Sequence, residues 1–495
     1  MVALMQPVIC AMAACIQSPA ALLPRSLPRA AVSACANDEP LEAFSTWLES
    51  KGVVSSAVQG GRLPGYGLSL VAGEAGCQPG DTLMAVPQSL HITPSKVKAS
   101  PIGQAIDGVI PADDDSALLA LGLLGEFAQG EAGELWPYLS VLPGADDMVG
   151  QPLLWSEDEL RTHFAGSHLY ETIGAVKGGL LMQWEAIQER VVPNAPDLFP
   201  PQVFNLQGYL YAHAIVLTRS LPFGDDLSLI PFLDLANHQK GATNTCSIGV
   251  AKGSGEGGEG AKISPVVSAD QMEALGVGEE VTAVLTASAA LAPGEQAFID
   301  YGEGGSGRSS WEMLYTYGFV PGASPEEWVA AGGRPLFFEG IDKDDPLGLQ
   351  KRALLVTLGT GEDAADGTWL DVQPRPDQCV LMAPLLRLAA LADDGSEPLA
   401  ADLAQWKADP KELWNRMQTP ISAATEARVA EKVIATCNAA LADLPEAEAL
   451  LPAAADEKTT SADAERARLA ARVLLGERAA LEACVSVWQK AAAAA

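Results

Sequence analysis

Apolar residues recur at every third or fourth position along several stretches of the chain, a spacing that places them on one face of a helix. The clearest stretches are residues 41–50, 116–128 and 209–220. From about residue 325 onward the sequence is rich in Ala, Leu and Glu, and apolar residues keep the same spacing. These patterns predict separate helices in the first half and a helical segment at the C-terminal end.

Shorter apolar runs, bounded by glycine and proline, predict β-strands. Two of these runs are separated by the turn Pro79-Gly80-Asp81. The predicted strands are residues 65–72, 82–87, 245–250, 281–286 and 296–300. The chain is therefore expected to combine helices with short strands.

Three short segments carry the chemical signal of the chain. The first, residues 230–238, is an apolar run that ends in Asn-His. The second, residues 298–302, ends in Tyr-Gly, and the third, residues 317–319, reads Tyr-Gly-Phe. Each short motif alone is compatible with chance or with core packing, but the order and content of all three together are unusual.

Together these segments resemble the cofactor and lysine pocket of SET-domain methyltransferases of the plant Rubisco large-subunit methyltransferase (LSMT) family. The Gly-Tyr-Gly-Leu turn of residues 65–68 and the Trp-Pro-Tyr-Leu segment of residues 136–139 also resemble that family. The resemblance implies an α+β fold. A SET-domain β-fold of small sheets, with a pseudoknot-like C-terminal part, would be split by a helical insertion and followed by an all-α C-terminal domain. Residues 136–139 are expected to serve packing and no chemistry.

The resemblance covers about residues 41–487 and divides the chain into five segments. They are a transit peptide (1–36), the N-terminal part of the SET core (37–95), a helical insertion (96–205), the C-terminal part of the SET core with the cofactor and lysine sites (206–325), and a helical substrate-binding domain of the Rubisco LSMT type (326–495).

The family uses S-adenosylmethionine, and its cofactor residues correspond to six positions here: Tyr66, Gly67, Leu68, Arg219, Asn237 and His238. Glycine in the turn permits close approach of the backbone to the methionine end of the cofactor. The guanidinium of Arg219 is expected to bind the cofactor carboxylate through two parallel hydrogen bonds. Without the resemblance, Arg219 would be interpreted as a helix-end cation that offsets the helix dipole.

The resemblance also implies a channel for the target lysine, lined by Arg219, Asp234, Tyr301 and Tyr317, with the two tyrosines as catalytic residues. Methyl transfer from a sulfonium to an amine is an in-line displacement, which needs a neutral amine in a narrow channel rather than a nucleophile or a metal. Tyrosine hydroxyls orient the nitrogen without adding fixed charge. A glycine-rich insertion before the last segment leaves Tyr315 as the rival of Tyr317 for this register.

The sequence leaves two other functions open and disfavours a third. A SET-fold protein that lacks turnover would serve only as a binding module for a protein partner. A branch related to this family methylates histidine instead of lysine. Asp234, His238 and Cys246 lie close in sequence, but a cysteine–histidine hydrolase is disfavoured because no convincing catalytic triad or metal set accompanies them.

The net charge and the cysteine content indicate which binding partners and metals to expect. A formal net charge of −32 repels nucleic acid and anionic membranes and would attract a basic stretch of a protein. We therefore expect no nucleic-acid or membrane partner, and a monomer that binds a protein substrate partly through its C-terminal helical domain. The eight cysteines include no Cys-x-x-Cys pair, so a structural zinc is not expected.

The N-terminal stretch differs in composition from the rest of the chain. Residues 1–36 contain no Asp, Glu or Lys and carry Arg25 and Arg29 among Ser, Ala and Pro. This composition predicts an organelle transit peptide, with the chloroplast stroma as destination and the mitochondrion as the alternative. A secretory signal fits less well, because the apolar residues 2–16 lack a basic start.

Overall fold

The computed structural model of the protein describes residues 38–55, 57–223, 226–239, 246–251, 282–301, 308–357, 366–376, 379, 383–391 and 409–494. The predicted transit peptide and the glycine-rich residues 252–262 and 302–307 lie outside the described residues.

The chain forms two compact units. The first unit consists of Met1–Leu154 and Ala175–Gly307, and the second of Trp155–Gly174 and Arg308–Ala495. These units cut across the five predicted segments, because Trp155–Gly174 belongs to the predicted helical insertion and yet groups with the C-terminal residues.

The helices are α1 (Glu39–Ser50), α2 (Pro94–Ala99), α3 (Pro101–Ala105), α4 (Asp115–Gln129), α5 (Trp136–Leu139), α6 (Glu157–Phe164), α7 (His168–Arg190), α8 (Leu206–Arg219), α9 (Ser310–Tyr317), α10 (Pro325–Ala330), α11 (Gly348–Thr357), α12 (Ala383–Ala390), α13 (Pro410–Met417), α14 (Ala423–Ala442), α15 (Ala447–Ala454) and α16 (Ala462–Ala494). The strands are β1 (Val58–Leu63), β2 (Gly67–Ala72), β3 (Thr82–Pro87), β4 (Leu221–Phe223), β5 (Asp226–Ser228), β6 (Asn237–His238), β7 (Cys246–Ala251), β8 (Thr282–Ala287), β9 (Phe298–Ile299), β10 (Arg334–Glu339) and β11 (Gly367–Val372).

Small sheets build the β-structure of the first unit. Strands β1 and β2 form an antiparallel pair, and β3, β8 and β7 form an antiparallel sheet in that order. Strands β4 and β5 form a short antiparallel pair, whereas β6 and β9 pair in parallel. The predicted strands in these regions are confirmed, and together with the helices they give the expected α+β fold.

Strand β1 was not predicted from the sequence, because its central residues lack the β-branched and aromatic types that favour strands. Its register with β2 explains why glycines occur there. A Cβ atom on Gly60 would lie 2.8 Å from a methyl group of Leu41, and one on Gly61 would lie 3.0 Å from Val71. The glycines therefore allow close packing of β1 against its neighbours.

The fully described stretch of residues 94–205 contains helices, turns and loops, with one isolated β-bridge between Asp107 and Ile110 and no β-strand, as expected for a helical insertion. Helix α4 begins where predicted, since the Asp114 side chain accepts a hydrogen bond from the Ala117 amide at its N-terminus. The buried face of α4 packs against α8, whose N-cap is Asn205. This packing fixes the helix that ends at Arg219.

The second unit corrects the prediction of an all-α C-terminal domain. Strands β10 and β11 form an antiparallel pair in which Arg334, Leu336 and Phe338 face inward and Phe337 lies opposite Trp369 on the exposed face. Burial alternates along β10 with a period of two, which is typical of a strand. The strand was not predicted because the Ala- and Leu-rich sequence around it indicated helix.

The remainder of the second unit is helical, as predicted. Helix α16 packs along α14 and α15. The helical spacing of its apolar residues predicts a stripe of Val473, Leu481, Cys484, Val485 and Trp488, of which all but the partly exposed Val485 are buried. Among the described residues of the protein, no helix combines the length and the apolarity needed to cross a bilayer.

Candidate functional site

The parallel pairing of β6 with β9 brings together two of the three segments that stood out in the sequence. Asn237 lies beside Phe298 and His238 beside Ile299. Tyr301 lies two residues after the end of β9. Its amide donates to Nδ1 of His238 over 3.1 Å, and its hydroxyl donates to the carbonyl of Ala236 over 2.8 Å. Two segments more than sixty residues apart therefore form one small structure, with the tyrosine fixed against the Asn-His pair.

The Tyr301 amide also determines the tautomer of His238. Because Nδ1 accepts a hydrogen bond, that nitrogen carries no proton, and the neutral ring holds its hydrogen on Nε2. Asp300 lies 3.6 Å from the same Nδ1, so this approach is not a salt bridge in the neutral state. The His238 imidazole is consequently held in one position and is uncharged in this arrangement.

The glycine turn before β2 is connected to the same place. The Asn237 side-chain amide donates to the hydroxyl of Ser69 over 2.8 Å, and that hydroxyl donates to the carbonyl of Gly67 over 3.3 Å. Ser69 is fully buried, so the pair of side chains forms an internal link between β2 and β6. Leu68, also on β2, is buried beside Ser69.

The turn itself has a backbone conformation that favours glycine. Gly65 has a φ of +79° and Gly67 a φ of +69°, and a Cβ atom added to either would meet open space. Left-handed backbone, rather than crowding, is therefore the reason for glycine here. Tyr66 between them is 55% exposed, and its ring lies edge-on to Phe298 at 5.9 Å. The turn thus leaves backbone groups accessible next to β9.

A second group of side chains surrounds Asp234. Helix α8 ends at Arg219, whose Nη1 donates to Oδ2 of Asp234 over 3.1 Å and to its backbone carbonyl over 3.2 Å. The hydroxyl of Tyr138 donates to the same Oδ2 over 2.9 Å. The other carboxylate oxygen, Oδ1, is buried, and no side chain or backbone group of the described residues donates a hydrogen bond to it.

The backbone next to Asp234 is strained, and core packing supports it. It lies on the short 3-10 turn Leu233–Leu235, and the residue before the turn, Phe232, has a φ of +75°. Left-handed backbone at a bulky residue costs of the order of 1 kcal/mol or more, and such strain concentrates at functional sites. The buried Phe44 ring lies 6.3 Å from Phe232 and 6.0 Å from Tyr138, so core packing supports both groups around the carboxylate.

Burial and charge set the protonation of this group. Burial raises the pKa of the Asp234 carboxyl above its ordinary value, and the Arg219 charge and the Tyr138 hydrogen bond limit that rise. Burial and the neighbouring Asp234 carboxylate raise the pKa of the Tyr138 phenol well above its ordinary value, so it is a hydrogen-bond donor. Burial alone would lower the pKa of Arg219, but Asp234, Tyr138 and Tyr301 together more than reverse this effect and raise it.

The third segment lies in the second unit. Tyr317 is the last residue of α9, and Gly318, with a φ of +79°, ends the helix. The guanidinium of Arg308 lies over the Tyr317 ring at 5.4 Å, a cation–π arrangement. Tyr315 is buried, and burial raises its pKa to about 12. The placement of Tyr317 in one channel with Tyr301 stays a prediction.

The structure adds one residue to the site that sequence reasoning missed. Tyr138 was expected only to pack, but its hydroxyl binds Asp234, 96 residues away in the chain. No local pattern marks such a contact. His213, by contrast, is buried against the Tyr209 ring, and burial lowers its pKa to about 4. Among the described residues no cluster could hold a metal ion.

Known proteins resemble both parts of the chain. A family model for the Rubisco LSMT substrate-binding domain matches residues 342–481. The chloroplastic fructose-bisphosphate aldolase lysine N-methyltransferase of Arabidopsis thaliana is 27% identical over 421 residues, covering 83% of this chain and 76% of the relative. The chloroplastic Rubisco large-subunit N-methyltransferase of Pisum sativum is 25% identical over 409 residues, covering 81% and 73%.

Solved structures share the fold. The SET domain of LSMT bound to lysine and AdoHcy superposes with a TM-score of 0.71 at 22% identity, and Rubisco LSMT bound to AdoMet with a TM-score of 0.68 at 21% identity. Each comparison covers 92% of both chains. The small sheets, the helical insertion and the parallel β6–β9 pair are thus those of a SET-domain protein. The chain is thus similar to proteins of the Rubisco LSMT family, and its residues 342–481 match the model of the substrate-binding domain of that family.

Proposed function

We propose that the protein is an S-adenosylmethionine-dependent methyltransferase that acts on the ε-amine of a lysine in a protein substrate. The observation that carries this function is the β6–β9 pair, which holds Asn237-His238 against Tyr301 beside the Gly67 turn. The relatives at 27% and 25% identity are lysine N-methyltransferases, and the solved neighbours are described with AdoMet, AdoHcy and lysine bound.

The residues around the Gly67 turn fit the cofactor. Tyr66, Gly67 and Leu68 offer backbone groups at a turn with open space at the glycine, which suits an extended polar ligand. Asn237 and His238 supply a fixed amide and a neutral ring on the adjoining strand. We assign these five residues to S-adenosylmethionine, which supplies the transferable methyl group on its sulfonium.

Arg219 adds a cation to the cofactor set. Its Nη1 is engaged by Asp234, so contact with a ligand carboxylate would use the remaining guanidinium nitrogens. The expected pair of parallel hydrogen bonds to the cofactor carboxylate is therefore modified, because Asp234 already binds one end of the Arg219 guanidinium. We propose that the fixed orientation directs the rest of the group toward the cofactor and the substrate.

On the acceptor side we propose that Arg219, Asp234, Tyr301 and Tyr317 line the lysine channel. The Tyr301 hydroxyl donates its hydrogen to the Ala236 carbonyl, and a phenol oxygen can also accept hydrogen bonds, which suits it to an amine. Such an acceptor orients the nitrogen lone pair for in-line attack on a methyl group. Proximity and exclusion of water then account for most of the acceleration, and a dry channel favours the neutral lysine that the reaction requires.

The protein substrate is proposed by analogy with the relatives. Rubisco large subunit and plastid fructose-bisphosphate aldolase are the first candidates, and residues 342–481 would supply part of the binding surface. Because both relatives are chloroplastic, we propose the chloroplast stroma as the location and residues 1–36 as the transit peptide, with the mitochondrion as the alternative. We propose a monomer that binds neither nucleic acid nor membrane.

The decisive experiment uses protein that starts at Asp38, radiolabelled S-adenosylmethionine and purified Rubisco or aldolase. We expect label on one of the two proteins, mapped to a lysine by mass spectrometry. A matched reaction with Tyr301→Phe should show strongly reduced transfer.

Three other results would each correct the proposal. Label on a histidine would change the acceptor. Cofactor binding without transfer to either protein or to plastid extract would identify a binding module. Retention of the label on the enzyme itself would indicate automethylation only.

A further inference from the structure

We propose that Tyr138 is a positioning residue of the methyl-transfer site, acting through Asp234 on the guanidinium of Arg219. The inference rests on the proposed function and adds to it a residue that does not touch cofactor or substrate. It concerns the first unit alone, in which all three residues lie.

Within the described part of the chain, Oδ2 of Asp234 has two hydrogen-bond donors and Oδ1 has none. The Tyr138 hydroxyl and the Arg219 Nη1 converge on Oδ2 at 2.9 and 3.1 Å. Nη1 also donates to the Asp234 backbone carbonyl at 3.2 Å, so the guanidinium is held at one end by a single residue. The carboxylate can orient Arg219 only while its own rotation is restricted, and Tyr138 is the other described side chain that restricts it.

Tyr138 itself is fixed by the fold. It lies on α5, a single helical turn, and its ring is fully buried beside Phe44. A ring that served packing alone could be phenylalanine, whereas a buried hydroxyl is costly unless it is hydrogen-bonded. The hydrogen bond to Asp234 offsets the cost of burying the Tyr138 hydroxyl. This indicates that the hydroxyl serves to bind the carboxylate.

The consequence of this contact is electrostatic as well as geometric. Asp234 binds Arg219 strongly only when it is ionised, and burial works against ionisation. The groups that face the cluster are Arg219 at the end of α8 and Tyr138 on α5, with Tyr301 near the guanidinium and Tyr211 near the phenol. Of these, Arg219 and the Tyr138 hydroxyl favour the carboxylate form. Loss of the hydroxyl would therefore make the carboxyl easier to protonate and the guanidinium less well oriented.

The test is Tyr138→Phe, which keeps the ring and removes the hydroxyl. The control is Tyr209→Phe, because Tyr209 is equally buried and its hydroxyl donates to Gln183 over 3.1 Å, away from Asp234. Calorimetry would measure S-adenosylmethionine affinity across the pH range, and kinetics would give kcat and KM for the protein substrate. For Tyr138→Phe we expect cofactor affinity and kcat/KM to fall roughly 10-fold at neutral pH, the effect of one hydrogen bond to a charged group.

The pH profile separates positioning from loss of packing. Since the hydroxyl lowers the Asp234 pKa, its removal raises that pKa, and the acidic limb of both profiles should move to higher pH. In an Asp234→Asn background, Tyr138→Phe should add little further loss, because the residue through which it acts is already uncharged. Tyr209→Phe should leave both limbs in place.

The proposal is overturned if Tyr138→Phe and Tyr209→Phe give the same profiles, or if the losses from Tyr138→Phe and Asp234→Asn add in full. If the wild-type protein binds S-adenosylmethionine but transfers no methyl group, the proposed enzyme activity fails. The affinity profile would then still test Tyr138, because it requires no turnover.

Discussion

Each of the two units buries a carboxylate in an ion pair, and the two carboxylates are treated differently. In the second unit, Glu477 on α16 is fully buried and both of its oxygens have partners. Ser167 donates to Oε1 over 2.5 Å, Arg334 donates to Oε2 over 2.7 Å, and His168 lies 3.1 Å away. In the first unit, Asp234 has both donors on one oxygen, and the other oxygen has none.

The difference shows in the direction of the pKa shifts. Burial opposes ionisation of Glu477, but His168, Arg334 and Ser167 outweigh it and hold the pKa below its ordinary value. Burial prevails at Asp234 and raises the pKa. A satisfied buried carboxylate is suited to holding elements together, whereas an incompletely satisfied one is a cost that stability alone does not justify. We therefore interpret Glu477 as structural and Asp234 as part of the site.

The largest expected effect tests the structural side of this comparison. Glu477→Gln removes the charge and leaves Arg334 buried without its partner, which should cost about 3–5 kcal/mol in the free energy of unfolding. Urea denaturation followed by circular dichroism would measure it.

Glu482→Gln is the matched control on the same helix. Glu482 pairs with Arg478 at 2.9 Å, but its side chain is 55% exposed, so the expected loss is under about 1 kcal/mol. Equal losses in the two variants would remove the distinction between a buried and a surface pair.

The next largest effect tests whether a residue of the second unit takes part in methyl transfer. Tyr317 ends α9 in the second unit, and the proposed lysine channel includes it. Removing the hydroxyl that orients the amine in Tyr317→Phe should lower kcat by roughly 10²-fold, with cofactor affinity unchanged. Steady-state kinetics and calorimetry measure the two quantities.

Tyr315→Phe serves as the control for Tyr317→Phe, because Tyr315 is the rival register and is buried in the same helix. If Tyr315→Phe abolishes turnover and Tyr317→Phe does not, the alignment of this segment is wrong by two residues. Normal turnover in both variants would remove the second unit from the chemistry.

A smaller effect is expected at the cofactor residues of the first unit. Asn237→Ala breaks the hydrogen bond to Ser69 and removes an amide next to the Gly67 turn. S-adenosylmethionine binding should weaken by roughly 1–3 kcal/mol, the usual cost of leaving a buried polar partner unpaired. Calorimetric titration would show this, and Ser69→Ala, which keeps Asn237, should lose less. Unchanged affinity in Asn237→Ala would exclude it from the cofactor site.

The sequence predicted the parts of the molecule that depend on local pattern. Periodicity located α1, α4 and α8, and short apolar runs located β2, β3, β7, β8 and β9. The motif at residues 230–238 was noted for its chemistry, but the short strand within it that pairs with β9 was not predicted. Strand β1 was missed because its glycine-rich sequence forms a strand only through pairing with β2. The β10–β11 pair was missed because its alternating burial was outweighed by the helical composition around it.

The candidate site shows the same limit. Motif content proposed Arg219, Asp234, Asn237 and Tyr301 as site residues. The structure joins Arg219 to Asp234, Asn237 to Ser69 and Tyr301 to His238. Motif content could not identify Tyr138, because a contact across 96 residues depends on how α5 packs, which no local spacing encodes. Partner choice at buried polar groups is therefore the information that tertiary structure adds.

The smallest effect follows from the opposite pKa shifts and appears as opposite pH dependences of stability. Glu477 has a folded pKa below its unfolded value, so its stabilisation is present above the unfolded pKa and is lost as pH falls through the folded pKa. The destabilisation caused by Glu477→Gln should therefore be full at neutral pH and shrink in acid. Asp234 has a raised folded pKa, so its contribution is present below the unfolded pKa and is lost as pH rises through the folded pKa. The unfolding free energy of the wild type minus that of Asp234→Asn, measured by urea denaturation at several pH values, should thus fall as pH rises. If both differences changed with pH in the same direction, the two carboxylates would have the same electrostatic role, and the separation into a structural and a site carboxylate would fail.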